Sequence, residues 1–310
     1  EILLRIAPHL VKPLEFTWPV YAGARLPRWK LRIGLGIYDL LAGRRRVRRH
    51  KSLSIEQTLQ NEPALERNGL RGGASYFDAS TDDAGLTIAT IQAAFDNGAV
   101  AVDHARMESV TGSRTGADGA LVCDTLGGGT TQVRARVIVS ATGPWQAKGT
   151  KGSHVAVARD RMGNHSAVTL TSPLDGRVMF VLPSGDRAII GTTDIYTSES
   201  PDDVKASDQE IEYLLRSANH YFPAAALTAS DVLETWAGIR PLAVAPPGAS
   251  PSSISREHQI SLDQAGVIVV TGGKLTTYRS MAAEIVDVVE KRLGRKPRRP
   301  PTDEVPLPVI

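Results

Sequence analysis

The pattern of hydrophobic and polar positions changes along the chain. Up to about residue 70 it predicts mostly helical or irregular structure. Ile33, Ile37, Leu40 and Leu41 recur at helical spacing, and Gly43 follows as a stop. Gly34-Leu35-Gly36 lies inside that periodic stretch with no strand before it and no third glycine, so it reads as packing glycines. From residue 81 the pattern is different. Thr81, Asp82 and Asp83 offer N-caps; Leu86, Ile88, Ile91 and Phe95 line a helix; Gly98 closes it. Val100 and Val102 predict the start of a strand. Residues 120–122 and 132–134 predict two more, with Gly127-Gly128-Gly129 as the turn between them. Val137-Ile138-Val139 is a short β-branched run of the kind found in a parallel sheet covered on both faces, and it ends in Ser140-Ala141-Thr142-Gly143-Pro144-Trp145.

Residues 152–245 read as β-rich, with strand-length runs at 155–157, 167–170, 178–182 and 188–191. One helix interrupts them: Ser207 and Glu210 form a capping box ahead of Ile211, Leu214, Leu215 and Ala218. Val267 to Val270 predicts another buried strand, followed by Gly272-Gly273 and a helix from about 276 to 293 with Met281, Ile285, Val288 and Val289 on its apolar side. The proline-rich tail from Pro297 reads as a linker or domain edge. No internal repeat is present. The segment from 81 to 145 matches the second half of a dinucleotide-binding domain.

Composition adds bounds. With 310 residues, 42% hydrophobic and 22% charged, the chain suits about two globular domains. One cysteine, Cys123, excludes an intrachain disulfide framework and a cysteine zinc site. No apolar run is long enough to span a bilayer, and Glu1 to Pro13 is too polar for a signal peptide. The net charge of +3 hides an uneven distribution. Two runs without acids, 44–51 and 291–299, hold twelve basic residues, and the rest of the chain has 24 basic against 33 acidic residues. The runs suit solvated faces or an anionic surface. Nucleic acid is not expected, because aromatics are only 5% and do not interleave with the basic residues.

Five segments could carry chemistry. Thr271-Gly272-Gly273-Lys274-Leu275-Thr276-Thr277-Tyr278-Arg279 runs from a buried strand through two glycines into a helix start, which presents free N–H groups and a lysine to an anionic or planar ligand. In Trp236-Ala237-Gly238-Ile239-Arg240-Pro241-Leu242, Pro241 restricts Arg240 to an extended backbone. Ile254-Ser255-Arg256 supplies a second arginine. With Lys274, the two guanidinium forks would make a phosphate-sized cationic pocket. Lys151-Gly152-Ser153-His154 contributes a histidine able to take a hydroxyl proton. Gly191-Thr192-Thr193-Asp194 alone reads as a capped turn.

Together these segments resemble the FAD-dependent glycerol-3-phosphate dehydrogenase family of the respiratory chain. The match includes Ala7-Pro8-His9-Leu10, Asp82-Asp83-Ala84 and Ala141-Thr142-Gly143-Pro144-Trp145 besides the motifs above, in family order across nearly the whole chain. The resemblance implies an α/β fold: a partial FAD-binding Rossmann-type domain of the glutathione-reductase or amino-acid-oxidase type, with an inserted β-rich α+β substrate domain. The expected FAD-binding parts are 79–145 and 260–294. The substrate or cap parts are 1–78 and 146–259, and 295–310 leads toward an absent C-terminal domain. The implied reaction oxidises sn-glycerol 3-phosphate to dihydroxyacetone phosphate and passes electrons through FAD to membrane quinone. Carried over by motif, Arg240, Arg256 and Lys274 would hold the substrate, and His154 would be the base. Gly272, Gly273, Lys274, Leu275 and Thr276 would face the flavin, and Thr142 and Gly143 would lie by the diphosphate or ribose.

There are departures. No Gly-x-Gly-x-x-Gly is present, so the first βαβ unit and its pyrophosphate cradle are missing from this stretch. The family's Arg-Asp-Tyr appears as Arg256-Glu257-His258, and the arginine of Asp-Asp-Ala-Arg is Gly85. The stretch alone is therefore expected to bind FAD poorly and to be inactive by itself. The alternatives are an oxygen-using glycerol-3-phosphate or amine flavin oxidase, and a non-catalytic remnant. The expected setting is cytoplasmic, peripheral on the inner face of the cytoplasmic membrane, with an anionic lipid surface and a second copy of the chain as further partners. The run at 44–51 is expected to lie away from the site.

Overall fold

The computed structural model describes residues 1–43, 47–113, 116–142, 149–240 and 257–310. In chain order the elements are α1 (Ile2–Ile6), β1 (Val11–Tyr21), α2 (Arg28–Ala42), β2 (Lys51–Leu53), α3 (Ile55–Asn61), β3 (Leu70–Thr81), α4 (Asp83–Asp96), β4 (Ala105–Ser113), β5 (Gly116–Asp124), β6 (Thr130–Arg134) and β7 (Val139–Ser140). They continue with β8 (Gly149–Ala158), α5 (Arg159–Met162), β9 (Ala167–Thr171), β10 (Val178–Ser184), β11 (Arg187–Gly191), β12 (Ile195–Thr197), α6 (Asp208–Tyr221), β13 (Val232–Arg240), β14 (Gln259–Leu262), β15 (Ile268–Thr271) and α7 (Tyr278–Arg292). The chain divides into two units: Val11–Ser80 with Gly149–Arg240, and Ile2–Leu10 with Thr81–Lys148 and Pro241–Ile310.

The first unit is built on a nine-stranded sheet in the order β12-β8-β11-β10-β9-β1-β3-β2, with β13 also paired to β8. Its core follows the two-residue period of strands. Val155 and Val157 of β8, Val168 and Leu170 of β9, Met179 and Val181 of β10, and Ala188 and Ile190 of β11 all project onto one face. Helix α6 covers that face with Leu214, Leu215 and Ala218, and the Ser207–Glu210 capping box begins the helix as the sequence predicts.

The first part of the chain departs from its pattern in two places, one strand and one helix face. The described residues up to 70 are mostly helical or irregular, as the pattern predicts, but β1 is a long strand that the pattern does not show, and β3 joins it in the large sheet from Leu70 onward. Their alternation is blurred by Pro13, Pro19, Gly72 and Gly73, which weaken a period-2 signal. Gly72 has φ of 99°, and a Cβ at Gly73 would lie 2.6 Å from the Trp18 carbonyl oxygen, so the close backbone approach accounts for the glycine pair. Helix α2 is present, but Ile33, Ile37, Leu40 and Leu41 point outward, and Leu31 and Leu35 form its buried side with Val20 and Ala74. The basic run at 44–51 leads into β2, so its described members Arg48, Arg49 and Lys51 lie at the opposite end of the sheet from β8 and β13.

The second unit holds a parallel pair and a meander. β15 lies between β14, antiparallel, and β7, parallel. β4, β5 and β6 form an antiparallel sheet with the turn at 127–129 where the glycines predict it. Val100 and Val102 do not start a strand; they are exposed, and β4 begins at Ala105. β7 is shorter than expected and is a partly exposed edge strand rather than one covered on both faces. Helix α4 is capped by Asp82, whose carboxylate accepts from the Gly85 N–H at 2.9 Å. A Cβ at Gly85 would lie 2.8 Å from both that carboxylate and Leu10, which explains glycine where the family motif has arginine. Of the expected apolar line, Leu86 is buried, whereas Ile88, Ile91 and Phe95 are exposed.

Candidate active site

Strand β8 sorts the Lys151-Gly152-Ser153-His154 segment onto two faces. Lys151 and Ser153 share the core side with Val155 and Val157, while Thr150, Gly152 and His154 take the other side. β13 pairs antiparallel with Trp236 opposite His154, Gly238 opposite Gly152 and Arg240 opposite Thr150. On the other edge of β8, Gly191 of β11 pairs with His154. His154, Trp236 and Arg240 therefore rise from a patch whose floor is glycine. The floor is needed, since a Cβ at Gly152 would overlap the Arg240 guanidinium and one at Gly191 would overlap the His154 ring.

The His154 ring stacks on Trp236 with centroids 5.3 Å apart and planes 13° from parallel. Its Nδ1 is buried and has no partner among the described residues. Burial first, and the Arg240 charge second, push His154 down to about 4, so it is neutral near pH 7 and able to accept a proton. The sign of the linked stability follows. The unfolded chain, with an ordinary histidine near 6.5, binds the proton more readily, so the site loses stability as pH falls from about 6.5 to about 4. We expect that loss to be roughly 3 kcal/mol and to be absent in His154→Gln. Urea melts of both proteins across that range check it, and parallel pH dependences would contradict it.

Arg240 is pinned by its surroundings. It donates from Nη2 to Thr192 Oγ1 at 3.0 Å, and from Nη1 to the Thr193 carbonyl and to Asp194 Oδ1, both at 3.3 Å. Asp194 is 5% exposed and also pairs with Arg177 at 2.9 Å. Burial opposes its ionisation, but hydrogen bonds and the two guanidinium charges outweigh that and hold the carboxyl below the ordinary range. Arg177 also lies 3.7 Å from Asp175, so of these charges it is Arg240 that acts on His154. The Gly191-Thr192-Thr193-Asp194 turn, which alone reads as a capped turn, is thus the frame of Arg240.

Beneath the sheet lies a second network that the sequence does not reveal. Glu210, at the first turn of α6, pairs with Lys151 at 3.0 Å and accepts from Ser153 Oγ at 2.7 Å and Thr193 Oγ1 at 2.8 Å. Thr193 Oγ1 also accepts the Ser153 N–H at 2.9 Å. Desolvation would raise the Glu210 carboxyl, yet the bonds from Ser207, Ser153, Lys151 and Thr193 bring it down to about 2. Glu210 thereby ties the strand carrying His154 to the turn carrying Asp194. The capping box is the only trace of this residue in the sequence.

In the second unit, the parallel register Ile268–Val139 and Val269–Ser140 brings the ends of β15 and β7 to the same edge. Thr142 follows β7 and is exposed, with Ser140 Oγ 3.3 Å from its hydroxyl. Gly272 and Gly273 follow β15 with φ of 72° and 94°, which only glycine adopts readily. A Cβ at Gly272 would lie 2.6 Å from the Glu257 carbonyl oxygen, and one at Gly273 would overlap Met281. Lys274, Leu275 and Thr276 are exposed, and a single 3-10 turn at 275–277 leads into α7. Two adjacent parallel strands ending at a helix start form the crevice where open α/β sheets bind nucleotide-type ligands, and this arrangement fits the ribose, phosphate or ring edge of such a group. Gly143 and Arg256 lie outside the described residues. The structure brings His154 and Arg240 onto one sheet face, and Thr142 with Gly272 to Thr276 onto one sheet edge.

Residues 1–287 match the FAD dependent oxidoreductase family. The aerobic glycerol-3-phosphate dehydrogenase of Staphylococcus epidermidis is 35% identical over 95% of this chain and 56% of its own length. That of Staphylococcus aureus is 34% identical, with 95% and 55% covered. The structure is similar to the FAD complex of the Bacillus halodurans glycerol-3-phosphate dehydrogenase, with a TM-score of 0.80 at 30% identity, covering 97% of this chain and 56% of that one. It shares its fold with the FAD-bound L-α-glycerophosphate oxidase of Mycoplasma pneumoniae, with a TM-score of 0.71 at 16% identity over 100% and 82% of the two chains. The chain spans just over half the length of the dehydrogenases it matches. It belongs to the FAD dependent oxidoreductase family.

Proposed function

We propose that the chain carries the substrate chemistry of an FAD-dependent glycerol-3-phosphate dehydrogenase. The reaction converts sn-glycerol 3-phosphate to dihydroxyacetone phosphate and sends the electrons to membrane quinone, on the inner face of the cytoplasmic membrane. The observation that carries this reading is the glycine-floored face holding a neutral His154 beside the pinned Arg240.

His154 takes the proton of the C2 hydroxyl, the C2 hydride leaves in the opposite sense, and the carbon becomes a ketone. Bound FAD would supply the hydride acceptor. A base held near 4 pulls weakly on an alcohol, so Arg240 has to stabilise the negative charge that gathers on the oxygen. The substrate's phosphate dianion offsets Arg240's repulsion of an imidazolium and makes His154 a better proton acceptor when substrate is bound. In the second unit, Gly272 to Thr276 and Thr142 are the residues that would hold the cofactor. The anion-binding roles of Lys274 and Arg256 rest on the sequence reading and the resemblance. The first unit is assigned to substrate and the second to cofactor.

Quinone as acceptor comes from the sequence resemblance; the matched relatives are named as dehydrogenases, and the oxygen-using alternative rests on a fold likeness. Quinone reduction and peroxide formation, measured side by side in the holoenzyme with glycerol 3-phosphate, decide between them. The expected result is reduction of a ubiquinone analogue with little peroxide. Peroxide formed in step with substrate consumption would replace quinone by oxygen.

A further inference from the structure

The outward face of α2 is out of place on a water-soluble surface. Trp29, Ile33, Ile37, Leu40 and Leu41 are 52 to 82% exposed, although each is large and apolar. At roughly 100° per residue they fall within about 120° of the helix circumference, opposite the buried Leu31 and Leu35. They form a continuous stripe along a 15-residue helix rather than scattered single residues. No described helix is long and apolar enough to cross a membrane, so α2 would lie along a surface rather than span it.

The charge around the stripe identifies its occupant. From Arg25 to Lys51 the chain has ten basic residues and one acid, Asp39, while the remainder has 26 basic and 32 acidic residues. Asp39 is engaged locally, accepting from His50 Nδ1 at 2.8 Å. Arg32 flanks the stripe on the helix, Lys30 lies at its N-terminal end with its Nζ 5.4 Å from the Trp29 ring centre, and Arg48 and Arg49 are exposed beyond its C-terminal end. An apolar stripe with a tryptophan, bordered by cations and confined to one helix, has the chemistry of an in-plane interfacial helix.

We propose that α2 docks the protein on an anionic lipid bilayer, with Trp29, Ile33, Ile37, Leu40 and Leu41 in the acyl boundary and the flanking cations among the headgroups. The proposal gives a location to the quinone-linked reading and rests on it only for its purpose. The geometry stands without it.

The test is flotation of the holoenzyme with vesicles of mixed phosphatidylglycerol and phosphatidylcholine, or of phosphatidylcholine alone. Wild type should float with the anionic vesicles, and brominated lipid should quench fluorescence that is missing in Trp29→Phe. Ile33→Glu with Leu40→Glu should weaken binding by about tenfold or more while turnover with a soluble dye stays at the wild-type level, which also shows that the variant is folded. Wild type that stays in solution overturns the proposal even if it reduces quinone. Floating protein that reduces no quinone keeps the docking face and removes the quinone reading. If the double variant turns a dimer into a monomer and vesicle binding is unchanged, the stripe is an interface between two copies and the proposal fails. It fails equally if Trp29 of the full-length protein is shielded from both lipid and aqueous quenchers, because another segment then covers α2.

Discussion

Arg240→Ala in the holoenzyme is expected to lower kcat/KM for glycerol 3-phosphate by roughly a hundred- to a thousand-fold. That is about 3 to 4 kcal/mol, the cost of losing one charged donor from a site where negative charge develops. The guanidinium is held to Thr192, Thr193 and Asp194 before any ligand arrives, so little ordering remains to be done on binding. Arg240→Lys should recover only part of the loss, because an ammonium restores charge but not the fork. A second readout separates this from mere loss of packing. Arg240 is one of the two causes that depress His154, so removing it should move the acid limb of the pH profile upward. A profile that keeps its shape, or a kcat/KM within a few-fold of wild type, would remove Arg240 from the chemistry.

Glu210→Ala is expected to cost at least ~3 kcal/mol of stability, because it strands the Lys151 ammonium and unpairs Ser153 and Thr193 in the interior. Lys151 keeps its bond to Glu199 at 2.9 Å, but Glu199 is 44% exposed and substitutes poorly for a buried partner. For a chain of this size the melting temperature should fall by about 6 °C or more. Glu210→Gln keeps hydrogen-bonding atoms without the charge and should fall between. The acid dependence has a definite sign. The carboxyl is depressed from 4.5 to about 2, so its stabilisation is complete above 4.5 and disappears as pH falls toward 2. That window lies below the one belonging to His154. Unchanged melting of Glu210→Ala at pH 7 would show that the buried network carries no net stability.

What can be read from the sequence divides by the range of the interactions involved. The capping box of α6, the meander turn at 127–129 and the period-2 runs of β8 to β11 are local signals, and each appears in the structure. The candidate residues His154, Arg240 and Gly272 to Thr276 are legible because their motifs are contiguous. Their partners are not. Asp194 reads as a turn residue, and Glu210 as a cap, until the β8–β13 and β8–β11 registers place them under the site. The Lys151-Gly152-Ser153-His154 segment reads as one unit in sequence, but the strand period sends Lys151 and Ser153 inward and His154 outward. Helix α2 shows the opposite failure. Its apolar periodicity is real, yet periodicity cannot say which of two apolar faces is buried, and Leu31 and Leu35 take the core while the stronger stripe faces out. β1 and β3 escape a reading by pattern because their prolines and glycines mask an alternation that only sheet pairing resolves.

The central claim is that the His154–Arg240 face oxidises glycerol 3-phosphate. Its most direct test is anaerobic mixing of the FAD-loaded holoenzyme with substrate while flavin absorbance is followed. We predict rapid bleaching by glycerol 3-phosphate, little by glycerol or glycine, and bleaching slowed by orders of magnitude in His154→Gln. Bleaching by glycine but not glycerol 3-phosphate, or a His154→Gln trace that overlays wild type, would contradict it.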